Sequence, residues 1–139
     1  MSTDRKPLPL RIFLVENHPD TLKWLRLYLE DRGHTVATAR TVGEALESFP
    51  DAGCEVLLSD IGLPDGDGWQ LMEQLHPAPR FAIAMSGFGM NADSARSRAV
   101  GFRHHLLKPY KPTELDALLD EAAKELGGDG STASGAKAA

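Results

Sequence analysis

A small set of polar residues stands at the ends of short apolar runs, and their types suit phosphoryl chemistry. Glu16 and Asn17 follow LRIFLV (10–15), Asp60 follows EVLLS (55–59), Ser86 ends FAIAMS (81–86) and Lys108 ends HHLLK (104–108). Clustered carboxylates repel one another unless a cation bridges them. Hard oxygen ligands suit Mg²⁺, which keeps several waters and takes few protein carboxylates. A carboxylate can also act as a nucleophile and become an aspartyl phosphate. Lys108, the Ser86 hydroxyl and the metal would each stabilise charge on the transferred oxygens. Within LLSDIGLPDGDGW (57–69), Asp60 is therefore either a solvated end to its strand or a reactive group outside the sheet.

These residues meet only if the elements between them fold back. The four runs are rich in Val, Ile, Leu and Phe and read as strands buried on both faces. HTVATA (34–39) alternates and reads as a strand nearer an edge. The intervening segments read as helices. PDTLKWLRLYLEDRG (19–33) places Leu22, Leu25 and Leu29 at helical spacing and ends on Gly33, a C′ residue. TVGEALESF (41–49) opens on Thr41 with Glu44 three later, a capping-box pattern. DGWQLMEQL (67–75) and the more polar MNADSARSRAVG (90–101) follow. KPTELDALLDEAAKEL (111–126) carries Leu115, Leu118, Leu119, Ala122 and Leu126 on one stripe, with Thr113 and Asp116 as its capping pattern.

Strands alternating with helices predict an α/β fold: a doubly wound, five-stranded parallel sheet with helices on both faces. The flavodoxin-like order 2-1-3-4-5 is the economical choice, and ligands bind such sheets beyond the carboxyl ends of the strands. Strands one, three, four and five then sit side by side, and their terminal residues surround one crevice.

Composition narrows the function classes. The chain has 139 residues, 42% of them hydrophobic and 25% charged, which suits one globular domain. A formal net charge of −5 and scattered basic residues argue against direct nucleic-acid binding. No segment is long and apolar enough to span a membrane, and no cleavage site marks a signal peptide. The lone Cys54 excludes an intrachain disulfide and reads as a small buried residue, which fits a cytoplasmic setting. Residues 1–9, with Pro7 and Pro9, predict a flexible lead. The Gly-, Ser- and Ala-rich 127–139 predicts a disordered tail around a domain at 10–126.

The segments FLVEN, LLSDIGLPDGDGW, AMSGFG and LLKPY resemble the receiver domain of bacterial response regulators in two-component signalling. The resemblance covers residues 10 to 126. It implies phosphotransfer from a histidine kinase or a histidine phosphotransfer protein to Asp60, in a phosphorelay or a simple pair. It implies phosphoryl contacts from Lys108 and Ser86, and a cis peptide before Pro109. It implies an Mg²⁺ site from the Glu16–Asn17 pair, Asp60 and the main-chain carbonyl of Gly62. The family usually has two acids after the first strand, so Asn17 departs from the pattern and weakens the expected metal affinity. Glu16 reaching inward, or Asp20, are the candidates to compensate. His105 stands where the family often places Tyr or Phe as a switch residue working with Ser86; a half-buried histidine beside His104 is the plain alternative.

The resulting expectation is a single-domain response regulator that promotes its own phosphotransfer and dephosphorylation but is not an enzyme with an external product. Its output runs through a downstream protein over the fourth helix, fifth strand and fifth helix, and homodimerisation stays open. The alternative is a phosphorylation-independent adaptor that keeps the fold. GFGMNA (87–92) fits the dinucleotide fingerprint of an oxidoreductase, but it lies in the fourth unit and lacks the downstream acid. DGDG (65–68) fails as a calcium loop because Trp69 falls where an oxygen ligand belongs, and reads as turn and helix-entry chemistry. The five histidines show no zinc spacing. Trp24, Trp69 and Met72 read as core or helix-face residues.

Overall fold

The computed structural model describes residues 9–87 and 94–128. Strands β1 (Arg11–Val15), β2 (Thr35–Ala39), β3 (Val56–Asp60), β4 (Phe81–Ser86) and β5 (His104–Leu107) form one parallel sheet in the order β2-β1-β3-β4-β5. This is the flavodoxin-like order. Asp60 pairs with Met85, and Ser86 with Leu107, so the polar strand ends lie at one edge.

Side chains alternate across a strand, and the two faces of β1 seed two core layers. Ile12 and Leu14 join Leu25 and Leu29 of α1 (Pro19–Asp31) and Leu115 and Leu119 of α5 (Pro112–Ala123). Phe13 and Val15 join Ala45 and Phe49 of α2 (Val42–Ala52) and Leu71 and Met72 of α3 (Gly68–Gln74). Val100 of α4 (Ser94–Val100) packs at the margin of this second layer. Every residue of β3 and β4 is buried, which explains their unbroken apolar runs. β5 departs from the expectation of burial on both faces. It is the outer strand, its histidines are half-buried, and Leu107 is 56% exposed.

Local signals act with some shifts of position. α1 ends before Gly33, whose φ of +98° suits glycine past a helix end. Glu44 N–H donates to Thr41 Oγ1, but the Glu44 carboxylate accepts from Arg40 N–H, one residue outside the expected box. At α5 the capping carboxylate is Glu114, which accepts from Lys111 N–H, and not Asp116. Pro112 suits the first helical position, so the helix starts before Thr113. Asp116 instead accepts from Tyr28 Oη and pairs with Arg32, tying α5 to α1. Cys54 is half-buried. Trp24 is half-exposed on α1 and stacks on Tyr28, whereas Trp69 and Met72 are core residues. A π turn at Lys124–Gly128 carries α5 past Leu126. No helix among the described residues is long and apolar enough to cross a membrane.

Candidate functional site

The end of β1 delivers Glu16 inward. It is 2% exposed, and its carboxylate accepts from Lys108 Nζ at 2.8 Å and from His18 N–H at 3.0 Å. Asn17 turns the other way and stands exposed. It is held through its main-chain carbonyl, which accepts from Arg40 Nε at 3.3 Å. Asp20 is exposed on the first turn of α1.

Asp60 ends β3 and is 6% exposed. Lys108 Nζ lies 2.7 Å from its Oδ1. The approach is off-axis, and Oδ1 has no aligned hydrogen-bond donor. The contact is a close charged pair in which Oδ1 retains capacity for a further partner. One ammonium bridges two buried carboxylates, and the electrostatics follow from that. Burial pushes the Asp60 carboxyl up to about 7; Lys108 pulls against this, and the Glu16 charge adds to it. Burial works to lower the Lys108 pKa, but the carboxylates outweigh it and hold the group above its usual value. Tyr110 beside them is raised by burial and by the same negative charges, and its hydroxyl contacts Met85 Sδ at 3.2 Å.

The DGDG loop is built from caps. Asp65 accepts from the N–H groups of Val42 and Gly43 at 2.8 and 3.0 Å, closing the start of α2. Those bonds hold its carboxyl below the usual range. Asp67 accepts from Gln70 N–H while Gln70 Oε1 accepts from Asp67 N–H, a complete capping box for α3. Gly68 is glycine for space: a Cβ there would stand 2.6 Å from the Asp60 carbonyl oxygen. Gly62 is exposed in a two-residue ladder, Gly62–Leu63 against Gly66–Asp67.

Ser86 is buried at the end of β4, and its carbonyl accepts from Lys108 N–H at 2.8 Å. Its hydroxyl lies 2.8 Å from His105 Nε2. His105 Nδ1 lies 2.9 Å from Ser97 Oγ, which accepts from Trp69 Nε1 at 2.9 Å. The Lys108–Pro109 peptide is cis, as is His76–Pro77.

The structure thus gathers Glu16, Asp60 and Lys108 in direct contact and joins Ser86 to them through the Lys108 main chain. It leaves the Asn17 side chain outside. Ser97 was missed by the sequence reading, and Trp69 was read only as core; no spacing rule links them to Ser86. Among the described residues no group of three His, Cys, Asp or Glu side chains could hold a metal. Of the GFGMNA fingerprint only Gly87 is described.

Comparison with known proteins agrees with this geometry. Residues 12–120 match the response regulator receiver domain. The chain belongs to that family. An uncharacterized 14.6 kDa protein of Leptolyngbya boryana is 32% identical over 79% of this chain and 87% of its own length. Response regulator Rre1 of Synechocystis is 28% identical over 80% of this chain, and the chain spans 50% of it. A CheY-like receiver domain structure from Methanospirillum hungatei is 28% identical, with a TM-score of 0.78 over 88% of this chain and 99% of that one. Receiver domains are signalling domains that work with histidine kinases, which places this chain in two-component signalling.

Proposed function

We propose that this receiver accepts a phosphoryl group on Asp60 from the phosphohistidine of a kinase or phosphotransfer protein, in the cytoplasm. The observation that carries the reading is the buried Oδ1 of Asp60, held against an ammonium and lacking an aligned donor. An Asp60 oxygen attacks phosphorus, the P–N bond breaks, and the histidine leaves with the electron pair. Lys108 neutralises charge on the phosphoryl oxygens. Water later attacks phosphorus and breaks the P–O bond to Asp60, releasing inorganic phosphate.

The donor chemistry fits a hard divalent cation. Glu16, Asp60 and the Gly62 carbonyl would hold Mg²⁺, which when bound supplies positive charge beside the phosphoryl oxygens. Asn17 brings no charge, which lowers the expected affinity. Phosphorylation biases the conformation around Ser86 and His105, and a downstream protein, or a second copy of the chain, reads it over α4, β5 and α5.

The test is incubation with acetyl phosphate and Mg²⁺ followed by intact mass. A labile added phosphate, absent in Asp60→Asn, supports the reading. The exposed amide of Asn17 favours one alternative, a phosphorylation-independent adaptor; absence of the adduct at every metal concentration supports that instead.

A further inference from the structure

We propose that the free edge of β2, with the groove beside it on α1, docks an extended acidic segment of a partner protein, which joins the sheet as a further strand. The inference stands on a different part of the molecule from the phosphoacceptor site and does not require Asp60 to carry a phosphoryl group.

The main chain supplies the first half of the site. Among the described residues β2 ends the sheet, with β1 as its neighbour on the inner side. Thr35 N–H donates to the Leu10 carbonyl, and the Ala39 carbonyl accepts from Glu16 N–H. Main-chain groups of successive residues in a strand point to opposite edges. Thr35, Ala37 and Ala39 therefore turn theirs toward β1, and Val36 and Thr38 turn theirs outward. Their N–H and C=O groups have the spacing that an added strand needs, and strand addition draws its affinity from such bonds.

The side chains supply the second half. A groove of about 300 Å³ runs between α1 and the end of β2, lined by Pro19, Leu22, Lys23, Arg26, Thr38 and Arg40. Leu22, half-buried against the core beneath, gives it an apolar base. Lys23, Arg26 and Arg40 are exposed around it, and Arg40 is held in place by donating from Nε to the Asn17 carbonyl at 3.3 Å. Among the described residues the ion pairs take up Arg32, Arg103, His104 and Lys108, and none joins a carboxylate to Lys23, Arg26 or Arg40. The nearby Glu44 carboxylate accepts from the Arg40 main-chain N–H. Three cations without ion pairs thus share one groove on a chain of net charge −5. The Trp24–Tyr28 stack belongs to the other flank of α1, where Tyr28 bonds Asp116 of α5, and takes no part.

Charge decides the occupant. Charged side chains at a sheet edge repel a newcomer of the same sign. A second copy meeting β2 edge to edge across a two-fold axis would set the same three cations against their own counterparts. A strand with Asp or Glu at alternate positions meets the opposite case. Every second side chain falls on the α1 side, beside Lys23, Arg26 and Arg40, and an apolar residue among them would rest on Leu22.

The probe is a fluorescein-labelled peptide of alternating Glu and Val, as long as β2 and capped at both ends. It is titrated with the full chain and read by anisotropy. Binding that weakens as salt rises is expected; no binding at low salt overturns the proposal. Lys23→Glu combined with Arg26→Glu, both exposed on α1, should weaken binding roughly tenfold or more, and unchanged affinity rules out the groove. Amide hydrogen exchange on the unmodified chain separates strand addition from loose attraction. With peptide bound, the Val36 and Thr38 amides should slow markedly, while that of Ala37, already turned to β1, should not change. Binding that leaves Val36 and Thr38 as fast as before refutes the added strand. Oligothymidylate or pyrophosphate bound more tightly than the peptide would make this a nucleic-acid or phosphate site and end the peptide reading. A chain that sediments as a dimer, and as a monomer with the two substitutions, would give the edge to a second copy instead.

Discussion

Lys108 Nζ stands 2.7 Å from Asp60 Oδ1 and 2.8 Å from Glu16 Oε1. One ammonium therefore holds two buried carboxylates together. Removing the ammonium would leave two carboxylates facing each other, both nearly excluded from water. Lys108→Met should destabilise the fold by about 3–5 kcal/mol at neutral pH. The loss should shrink in acid as the carboxylates protonate, and urea unfolding at pH 7.5 and at about pH 5 would check both parts.

Asp60 itself opposes folding at neutral pH. Its folded pKa of about 7 lies above the ordinary value of 3.8, so folding takes up a proton between the two. The stability from this group is fully present below about pH 4 and is lost as pH rises through about 7. Asp60→Asn, which does not titrate, should therefore gain on the parent chain across that window. The gain should level off above it at something on the order of 2–4 kcal/mol. Thermal unfolding of both chains from pH 4 to 8.5 gives the curve, and a constant difference would refute the assignment.

Asn17 makes a prediction of opposite sign for metal. Its side chain is exposed and its carbonyl is tied to Arg40, so a substitution there leaves the Glu16–Lys108–Asp60 contact in place. Asn17→Asp should bind Mg²⁺ about tenfold or more tightly, because a hard cation gains a charged oxygen ligand. Isothermal titration would show it; equal affinity would mean that Glu16 already compensates.

Gly68 is fixed by its closeness to the Asp60 main chain. Gly68→Ala would put a methyl 2.6 Å from the Asp60 carbonyl oxygen and 3.1 Å from Ile61 Cα, both main-chain atoms. A cost of roughly 1–3 kcal/mol is expected, together with slower phosphate uptake from acetyl phosphate. A variant as stable and as reactive as the parent would show that the loop gives way freely.

Much of this was legible because a parallel sheet collects its carboxyl ends. Glu16, Asp60, Ser86 and Lys108 are scattered in sequence, yet apolar runs of matched length and a right-handed crossover rule bring them to one edge. The choice between Glu16 and Asn17 was not legible. Adjacent residues at a strand end point opposite ways, and which one turns inward depends on Arg40 and Lys108 far along the chain. Asp65 as a cap on α2 was equally hidden, because its partners lie 22 and 23 residues before it. Trp69 shows the limit of periodicity. Its place on the buried side of α3 is readable from spacing, but the partner of its N–H is set by how α3 and α4 pack. β5 was misread because a run of apolar residues does not say whether a further strand lies beyond it.

The loop that follows Asp60 is pinned at every step: Asp65 on the start of α2, Asp67 on the start of α3, and Gly68 against the Asp60 main chain. If Asp60 gains a phosphoryl group as proposed, that flank offers stiff ground to the new charge, and any rearrangement is expected on the opposite side, toward β4 and β5.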